Sequence, residues 1–152
     1  MASKVTKVTQ PQFTSNPSSS TVHAKSIASP SLASKSTSDK KIYWAHKRGV
    51  QSEEFVSKYY INRNYQLLKQ RVKTPYAEID LLFRSPSREK LLMVEVKTAN
   101  QATFYNARIS PRQKFRLMGA AVFLAARFNC QVEVHWAFVT RFGEITIIDD
   151  VT

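Results

Sequence analysis

Two strongly apolar runs of the chain each contain an acidic residue, and this feature limits the fold more than any other. Asp80 lies within residues 78–82, and Glu95 lies within residues 91–97. An ionised carboxylate is costly to bury unless a cation or hydrogen-bond donors accompany it. The chain must therefore bury both runs while it gives their acids a shared polar environment.

The middle of the chain contains three strand-like runs, over residues 65–72, 76–84 and 90–98. Proline-containing breaks at 74–75 and 85–87 separate them and exclude a continuous helix. Short breaks between strands predict an antiparallel meander, in which the second and third strands are neighbours. Their acids, Asp80 and Glu95, can then lie close together.

Helices are predicted on both sides of this meander. Apolar residues at spacings of three and four predict the first helix over residues 47–62. Ser110-Pro111 supplies a capping residue and a first-turn proline for the second helix, which extends to Phe128. An alternating run over 132–138 and another over 144–149 predict a final hairpin. The order is helix, three strands, helix, two strands.

The acids of the two central strands create an electrostatic problem. Two carboxylates about 4 Å apart repel by roughly 4 kcal/mol at an effective dielectric of about 20. Glu95 and Lys97 point to the same face because side chains alternate along a strand, so Lys97 offsets part of this repulsion. If Glu53 also projects inward, a cation that prefers oxygen ligands resolves the imbalance, and Mg²⁺ fits best. On spacing alone, a surface ion pair of Glu95 with Lys97 is an alternative.

Residues 1–41 differ in composition from the rest of the chain. They contain eleven Ser, five Thr and three Pro, and their charges are six Lys against Asp39. Such a segment buries too little apolar area to offset its ordering entropy, so we expect a disordered basic tail and a folded domain over 42–152. A Ser-rich, acid-poor leader is also typical of an organelle transit peptide, although those favour Arg and this segment has none.

Charge and apolar patterning exclude several classes of protein. The formal net charge is +12, of which the tail carries +5 and the body +7. No apolar run approaches the roughly 20 residues that cross a bilayer, and the N-terminus lacks the apolar core of a secretory signal. A single Cys130 excludes an internal disulfide and a cysteine zinc site. We expect a cytoplasmic protein that does not enter the membrane and has an anionic partner.

The motifs occur together in an order that resembles a known family. They are Gly49-Val50-Gln51-Ser52-Glu53, Asn64-Tyr65-Gln66-Leu67-Leu68, Ala77-Glu78-Ile79-Asp80-Leu81-Leu82, Met93-Val94-Glu95-Val96-Lys97-Thr98 and Ser110-Pro111-Arg112-Gln113-Lys114. This series is similar to the YraN-like family of predicted nucleases, within the PD-(D/E)XK superfamily that includes Holliday-junction resolvases. The resemblance implies an α/β fold of the restriction-endonuclease type, with a mixed β-sheet of about five strands flanked by helices.

The resemblance also implies a site. The acid of the first helix falls on Glu53, and the motif acids and lysine fall on Asp80, Glu95 and Lys97. The implied ligands of Mg²⁺, or of Mn²⁺ in its place, are Asp80, Glu95 and the Val96 carbonyl, with Glu53 assisting directly or through water. A second group of residues is expected to contact nucleic-acid phosphates: Arg108, Arg112, Gln113, Lys114 and Arg116.

Two hypotheses of function follow. The first is Mg²⁺-dependent hydrolysis of phosphodiester bonds in DNA, branched or single-stranded, with Lys97 orienting or deprotonating the attacking water. The second is a nucleic-acid-binding accessory protein that keeps the fold without catalysis. Nucleic acid, DNA before RNA, is the expected partner in both cases, and a homodimer is compatible with either.

Overall fold

Within the described part of the chain, the protein forms a six-stranded mixed sheet with a long helix on each side. The computed structural model describes residues 5–8, 37–99 and 109–150. In chain order the elements are β1 (Val5–Val8), α1 (Thr37–Ile61), β2 (Gln66–Lys73), β3 (Glu78–Arg84), β4 (Lys90–Ala99), α2 (Pro111–Phe128), β5 (Gln131–Thr140) and β6 (Ile145–Asp150). The sheet order is β1-β6-β5-β4-β3-β2. The predicted α/β class is confirmed: β2 to β6 are the five predicted strands of a mixed sheet, and α1 and α2 are the two predicted helices. β1 adds a sixth strand.

The strand pairings follow the predicted meander and hairpin. β2, β3 and β4 pair antiparallel in succession, and β5 pairs antiparallel with β6. β4 and β5 pair in parallel over ten residues, from Lys90↔Gln131 to Ala99↔Thr140. A parallel pair needs a long crossover connection, and α2 lies within that connection. The site strand β4 is therefore central, with an antiparallel neighbour on one side and a parallel one on the other.

Each face of the sheet packs against one helix. Leu117, Ala120 and Leu124 of α2 pack in one apolar cluster with Met93 and Trp136. On the other face, α1 contributes a second cluster through three buried residues, Val56, Tyr59 and Tyr60. Phe55 lies four residues before Tyr59, a spacing that predicts burial on the same side of the helix, but Phe55 is exposed. The two clusters hold both helices against β4, which carries the acid and lysine of the candidate site.

Local signals fix the ends of the elements. Ser110 has extended backbone and its hydroxyl accepts a hydrogen bond from the Gln113 amide at 3.2 Å, so the predicted cap of α2 is confirmed. The helix ends at Asn129, whose left-handed backbone is one that Asn tolerates well. Between β3 and β4, the Ser85 amide donates to the Lys90 carbonyl at 2.9 Å. This closure sets the register that brings Asp80 level with Glu95.

Two parts of the stretch 1–41 are ordered elements, which its composition did not predict. Val5–Val8 pairs antiparallel with residues 145–148 of β6 and becomes an edge strand. The run Val-Thr-Lys-Val is rich in β-branched residues, and an open sheet edge supplies the backbone partners that a free segment lacks. α1 begins at Thr37, ten residues before the predicted start. The remainder of that stretch, 1–4 and 9–36, lies outside the described residues.

Candidate active site

The candidate site lies where β3 and β4 separate. Their ladder runs from Arg84↔Leu91 to Leu81↔Val94 and stops there. Beyond it, the Val96 amide donates a hydrogen bond of 2.7 Å to Oδ2 of Asp80. A side chain thus replaces the backbone partner that the next rung of the ladder would have supplied. The separation opens a polar gap inside an otherwise apolar sheet.

The Val96 carbonyl faces the same gap as Asp80. In an extended strand, the N–H and C=O of one residue point to the same side, and this side repeats every second residue. The Lys90 carbonyl points toward β3, because it accepts from Ser85. Val96 lies six residues further along β4, so its carbonyl points the same way. A hard backbone oxygen is therefore directed to the side of β4 on which Asp80 lies.

Glu95 is the most enclosed acid of the site. Its side chain is 10% exposed, and its Oε1 accepts a hydrogen bond of 2.8 Å from the Lys97 ammonium. The same oxygen accepts a hydrogen bond of 2.6 Å from the Gln113 side-chain amide. Gln113 stands in the first turn of α2, so the capping of that helix by Ser110 also fixes a group that holds Glu95 in place.

Asp80 carries the clearest sign of uncompensated charge. Burial above all, and then the nearby charge of Glu95, raise the pKa of its carboxyl to about 6. The Val96 N–H opposes this shift, as does Lys97 more weakly, while the charge of Glu53 adds to it. Asp80 and Glu95 are therefore close enough to repel, as predicted from the sequence. The cationic partners present do not cancel that repulsion at Asp80.

Glu53 reaches the site from α1, on the other side of the sheet from α2. Its carboxylate is held by the Arg71 guanidinium through two contacts, Nη2 to Oε1 at 3.0 Å and Nε to Oε2 at 3.3 Å. Both carboxylate oxygens thus already have a hydrogen-bond donor. The neighbouring Ser52 hydroxyl lies 3.2 Å from that of Thr98, which ties α1 to the end of β4.

The residues present fit a lightly ligated Mg²⁺ better than a cage of side chains. Among the described residues, no group of three or more His, Cys, Asp or Glu side chains is arranged to hold a metal ion. Mg²⁺ keeps several waters and takes only one or two carboxylates from a protein, and it accepts only hard oxygen ligands. Asp80, Glu95 and the Val96 carbonyl provide that donor set. The raised pKa of Asp80 indicates a position where a cation is favoured.

The residues predicted to contact phosphates divide into three groups. Arg112, Lys114 and Arg116 are exposed on the first turns of α2, and the Arg116 Nε donates to the Tyr76 carbonyl at 2.9 Å. Gln113 instead points into the site and binds Glu95. Arg108 lies outside the described residues. Arg112 and Arg116, four positions apart, lie on one side of α2, whereas Lys114 lies on another side of the same turns.

Sequence reasoning missed Arg71 as a member of the site. Arg71 lies in a polar stretch of β2 with several other basic and amide residues, so no periodicity distinguishes it. Its backbone is left-handed, with a φ of 50°, which no sequence signal indicated. Its contact with Glu53 joins residues 18 positions apart on different elements. Only the packing of α1 against the sheet reveals it.

Comparison with known proteins gives a family and several relatives. The model of a family described as "Uncharacterised protein family UPF0102" matches residues 52–147. A UPF0102 protein of Acidiphilium cryptum is 31% identical over 107 residues, which cover 70% of this chain and 78% of that protein. Another, from Bradyrhizobium diazoefficiens, is 31% identical over 104 residues, 68% of this chain and 73% of that protein.

Other relatives are matched over a shorter stretch. A UPF0102 protein of Rhodopseudomonas palustris strain BisB18 is 35% identical over 77 residues, which cover 51% of this chain and 56% of that protein.

None of the helices within the described residues is long and apolar enough to span a bilayer.

Proposed function

The chain belongs to the UPF0102 family, and on that premise we propose that it is a metal-dependent nuclease that hydrolyses phosphodiester bonds of DNA. The observation that carries the proposal is the approach of Asp80 and Glu95 where β3 and β4 separate, with Lys97 bonded to Glu95. The likeness of the family to PD-(D/E)XK nucleases supports the same assignment. Mg²⁺, with Mn²⁺ as a substitute, is the proposed cofactor.

Each residue of the site has a definite task in this proposal. Asp80, Glu95 and the Val96 carbonyl hold the cation, which when bound stabilises negative charge on the phosphoryl oxygens and lowers the pKa of a bound water. Gln113 fixes the Glu95 carboxylate so that it does not rotate away. Glu95 in turn holds the Lys97 ammonium at 2.8 Å. Lys97 orients the attacking water by hydrogen bonding.

The chemical step is a simple displacement at phosphorus. The water oxygen forms a new bond to phosphorus and the bond to the leaving sugar oxygen breaks. The water gives up a proton to solvent, and the leaving oxygen takes one from solvent to become a hydroxyl group. Little of this requires covalent work by the protein, so positioning and electrostatics dominate. The exposed cations in the first turns of α2, among them Arg112 and Lys114, are suited to hold the flanking backbone of the nucleic acid.

Incubation of the full chain with single-stranded, duplex and four-way-junction DNA tests the proposal, in Mg²⁺, in Mn²⁺ and in chelator. We expect cleavage that requires metal and that falls at least about 100-fold in Asp80→Asn, because loss of one stabilising group at a transition state costs that much. Calorimetric titration should show Mg²⁺ binding to the wild type and none to the variant. Equal cleavage by both would refute the assignment.

A second candidate is a nucleic-acid-binding accessory protein without catalysis. The pairing of Glu53 with Arg71 and of Glu95 with Lys97 favours it, since two of the three acids already have a cationic partner. This role predicts binding of DNA in chelator and no cleavage in either metal. Metal dependence therefore separates the two candidates, whereas salt dependence of binding does not.

A further inference from the structure

Arg71 occupies an unusual place in β2. Its two chain neighbours pair with Leu81 and Ile79 of β3, so Arg71 lies level with Asp80 on the adjacent strand. Its φ of 50° belongs to the left-handed region, which residues with a Cβ rarely adopt. The contacts of the guanidinium with Glu53 place the end of this side chain beside the candidate site.

The pair of Arg71 with Glu53 has an inner and an outer half. The Glu53 side chain is 15% exposed, whereas the Arg71 side chain is 45% exposed. The guanidinium carries five N–H groups, and its contacts with Glu53 involve Nε and Nη2. Its third nitrogen, Nη1, belongs to a side chain that solvent and ligands can reach. Glu53 thus binds the guanidinium on its buried side, while the opposite side of the guanidinium remains accessible.

Phosphate is the ligand that this arrangement suits. A planar guanidinium recognises carboxylates and phosphates alike through paired N–H groups. The acids Asp80, Glu95 and Glu53 together repel any phosphodiester that approaches the gap between β3 and β4. Lys97 is bonded to Glu95 and is 30% exposed, so Arg71 is the more accessible of these two cations.

We propose that Arg71 is a substrate-binding residue for a nucleic-acid backbone phosphate at the acid site, and that Glu53 is its positioning residue. The inference rests on the proposed function and deepens it, because it assigns Glu53 to the substrate instead of to the metal. The site then has two parts. Asp80, Glu95 and Val96 serve the cation, and Arg71 with Glu53 serves the phosphate.

Fluorescence anisotropy with labelled duplex DNA in chelator tests this assignment without requiring cleavage. In Arg71→Gln we expect affinity to fall about 3–10-fold, and the slope of log affinity against log salt to become shallower by about 0.9, as for one lost phosphate contact. Arg71→Lys should keep the slope and recover part of the affinity. Glu53→Gln should keep the slope in chelator, because the guanidinium remains. In a separate cleavage assay with Mg²⁺, the same variant should lower kcat more than it changes KM.

Arg88→Gln is the matched control. Arg88 is exposed in the turn between β3 and β4, before Lys90 and so more than about 15 Å along β4 from Glu95, and it also has a positive φ. Arg88→Gln removes the same charge as Arg71→Gln but at a position remote from the candidate site. Its salt slope should therefore stay nearer the wild-type value. Thermal melts of each variant confirm that the fold is kept.

Two results would overturn the inference. One is an Arg71→Gln slope no shallower than that of Arg88→Gln. The other is tighter Mg²⁺ binding with faster cleavage in Arg71→Gln, which would make Arg71 a stand-in for the metal. If the wild type cuts no DNA but Arg71→Gln still loses its phosphate contact, the nuclease assignment fails and this one stands.

Discussion

Two polar networks lie on opposite faces of the sheet, and they solve the problem of burial differently. On the α1 face, the Tyr60 hydroxyl lies 2.7 Å from Nδ1 of His135, and Nε2 of His135 lies 3.5 Å from Oδ1 of Asp149. Burial raises the pKa of Tyr60 and lowers that of His135, so both are neutral near pH 7. Donors and acceptors match along this network, and the Asp149 side chain at its end is 28% exposed to solvent.

The acid site differs because it brings two carboxylates close together. Asp80 and Glu95 repel each other, and the pKa of Asp80 is raised to about 6, although Lys97 and the Val96 amide are close by. Within the described residues, every buried side-chain nitrogen or oxygen has a hydrogen-bond partner. Both networks are therefore fully hydrogen-bonded, and they differ in that the acid site brings two carboxylates close enough to repel. A carboxyl whose pKa is raised by burial and by a neighbouring charge marks a candidate functional site.

The largest expected difference between the networks is in cleavage. Glu95→Gln removes a proposed metal ligand and the partner of Lys97, so we expect cleavage to fall at least about 100-fold. Asp149→Asn makes the same acid-to-amide change in the other network and should cut DNA within about threefold of wild type, because residues remote from the chemistry act only through stability. Parallel loss of activity in both variants would erase the distinction.

The next largest effect concerns the stability that the network of Tyr60, His135 and Asp149 contributes. Tyr60→Phe removes the hydrogen-bond partner of the buried Nδ1 of His135, which should lower the free energy of unfolding by about 1–3 kcal/mol. Urea titration at pH 7.5 measures it. Tyr76→Phe is the control, since Tyr76 is 51% exposed and its hydroxyl can turn to water. A change in Tyr60→Phe as small as in the control would show that the network contributes little.

A third prediction uses the opposite pH responses of the two networks. The folded protein binds the Asp80 proton more tightly than the unfolded chain does, so ionisation destabilises it progressively from pH 3.8 to about 6 and fully above that. In chelator at pH 7.5, Asp80→Asn should therefore be more stable than wild type by about 1–2 kcal/mol, a figure reduced for partial exposure. The gain should vanish as pH falls toward 3.8.

His135 supplies the contrast. Its pKa is lowered by burial, so its contribution to stability is complete above pH 6.5 and is lost as pH falls below that value. Between pH 7.5 and 5, Asp80→Asn should consequently lose more stability than wild type does, because only the His135 effect remains. Equal losses in urea titrations at the two pH values would contradict the assignment of these shifts.

The smallest effect gives a baseline for charge pairs. Lys58 and Glu54 form a surface pair of 2.8 Å, with both side chains more than 60% exposed, as the i,i+4 spacing predicted. Lys58→Ala should lower the free energy of unfolding by only about 0.3–0.5 kcal/mol, and less in high salt. Thermal melts at two salt concentrations measure it. A loss above about 1 kcal/mol would mean that solvent screens this surface less than expected.

Local signals in the sequence predicted most of the fold. Proline and serine at the strand ends, and Ser110-Pro111 before α2, mark element boundaries through short-range chemistry that the structure retains. The parallel pairing of β4 with β5 and the place of Val5–Val8 at the sheet edge join segments far apart in sequence. Such pairings depend on the whole core, and no local pattern specifies them.

The same limit applies to the candidate site. Asp80, Glu95 and Lys97 could be grouped from the sequence, because neighbouring strands with a short turn constrain where their side chains go. Arg71 and the inward turn of Gln113 could not, since each depends on how a helix or a distorted strand packs. Gln113 in particular was predicted to contact phosphates, and its amide instead reaches Glu95.

The hydrogen bond from Val96 to Asp80 places a main-chain reporter inside the candidate site. A proton donated to a carboxylate at 2.7 Å resonates far downfield in an NMR spectrum, and its shift follows the charge of its acceptor. A single amide peak can thus record both titration of the aspartate and arrival of an ion. The sheet itself carries the indicator, with no dye or label attached.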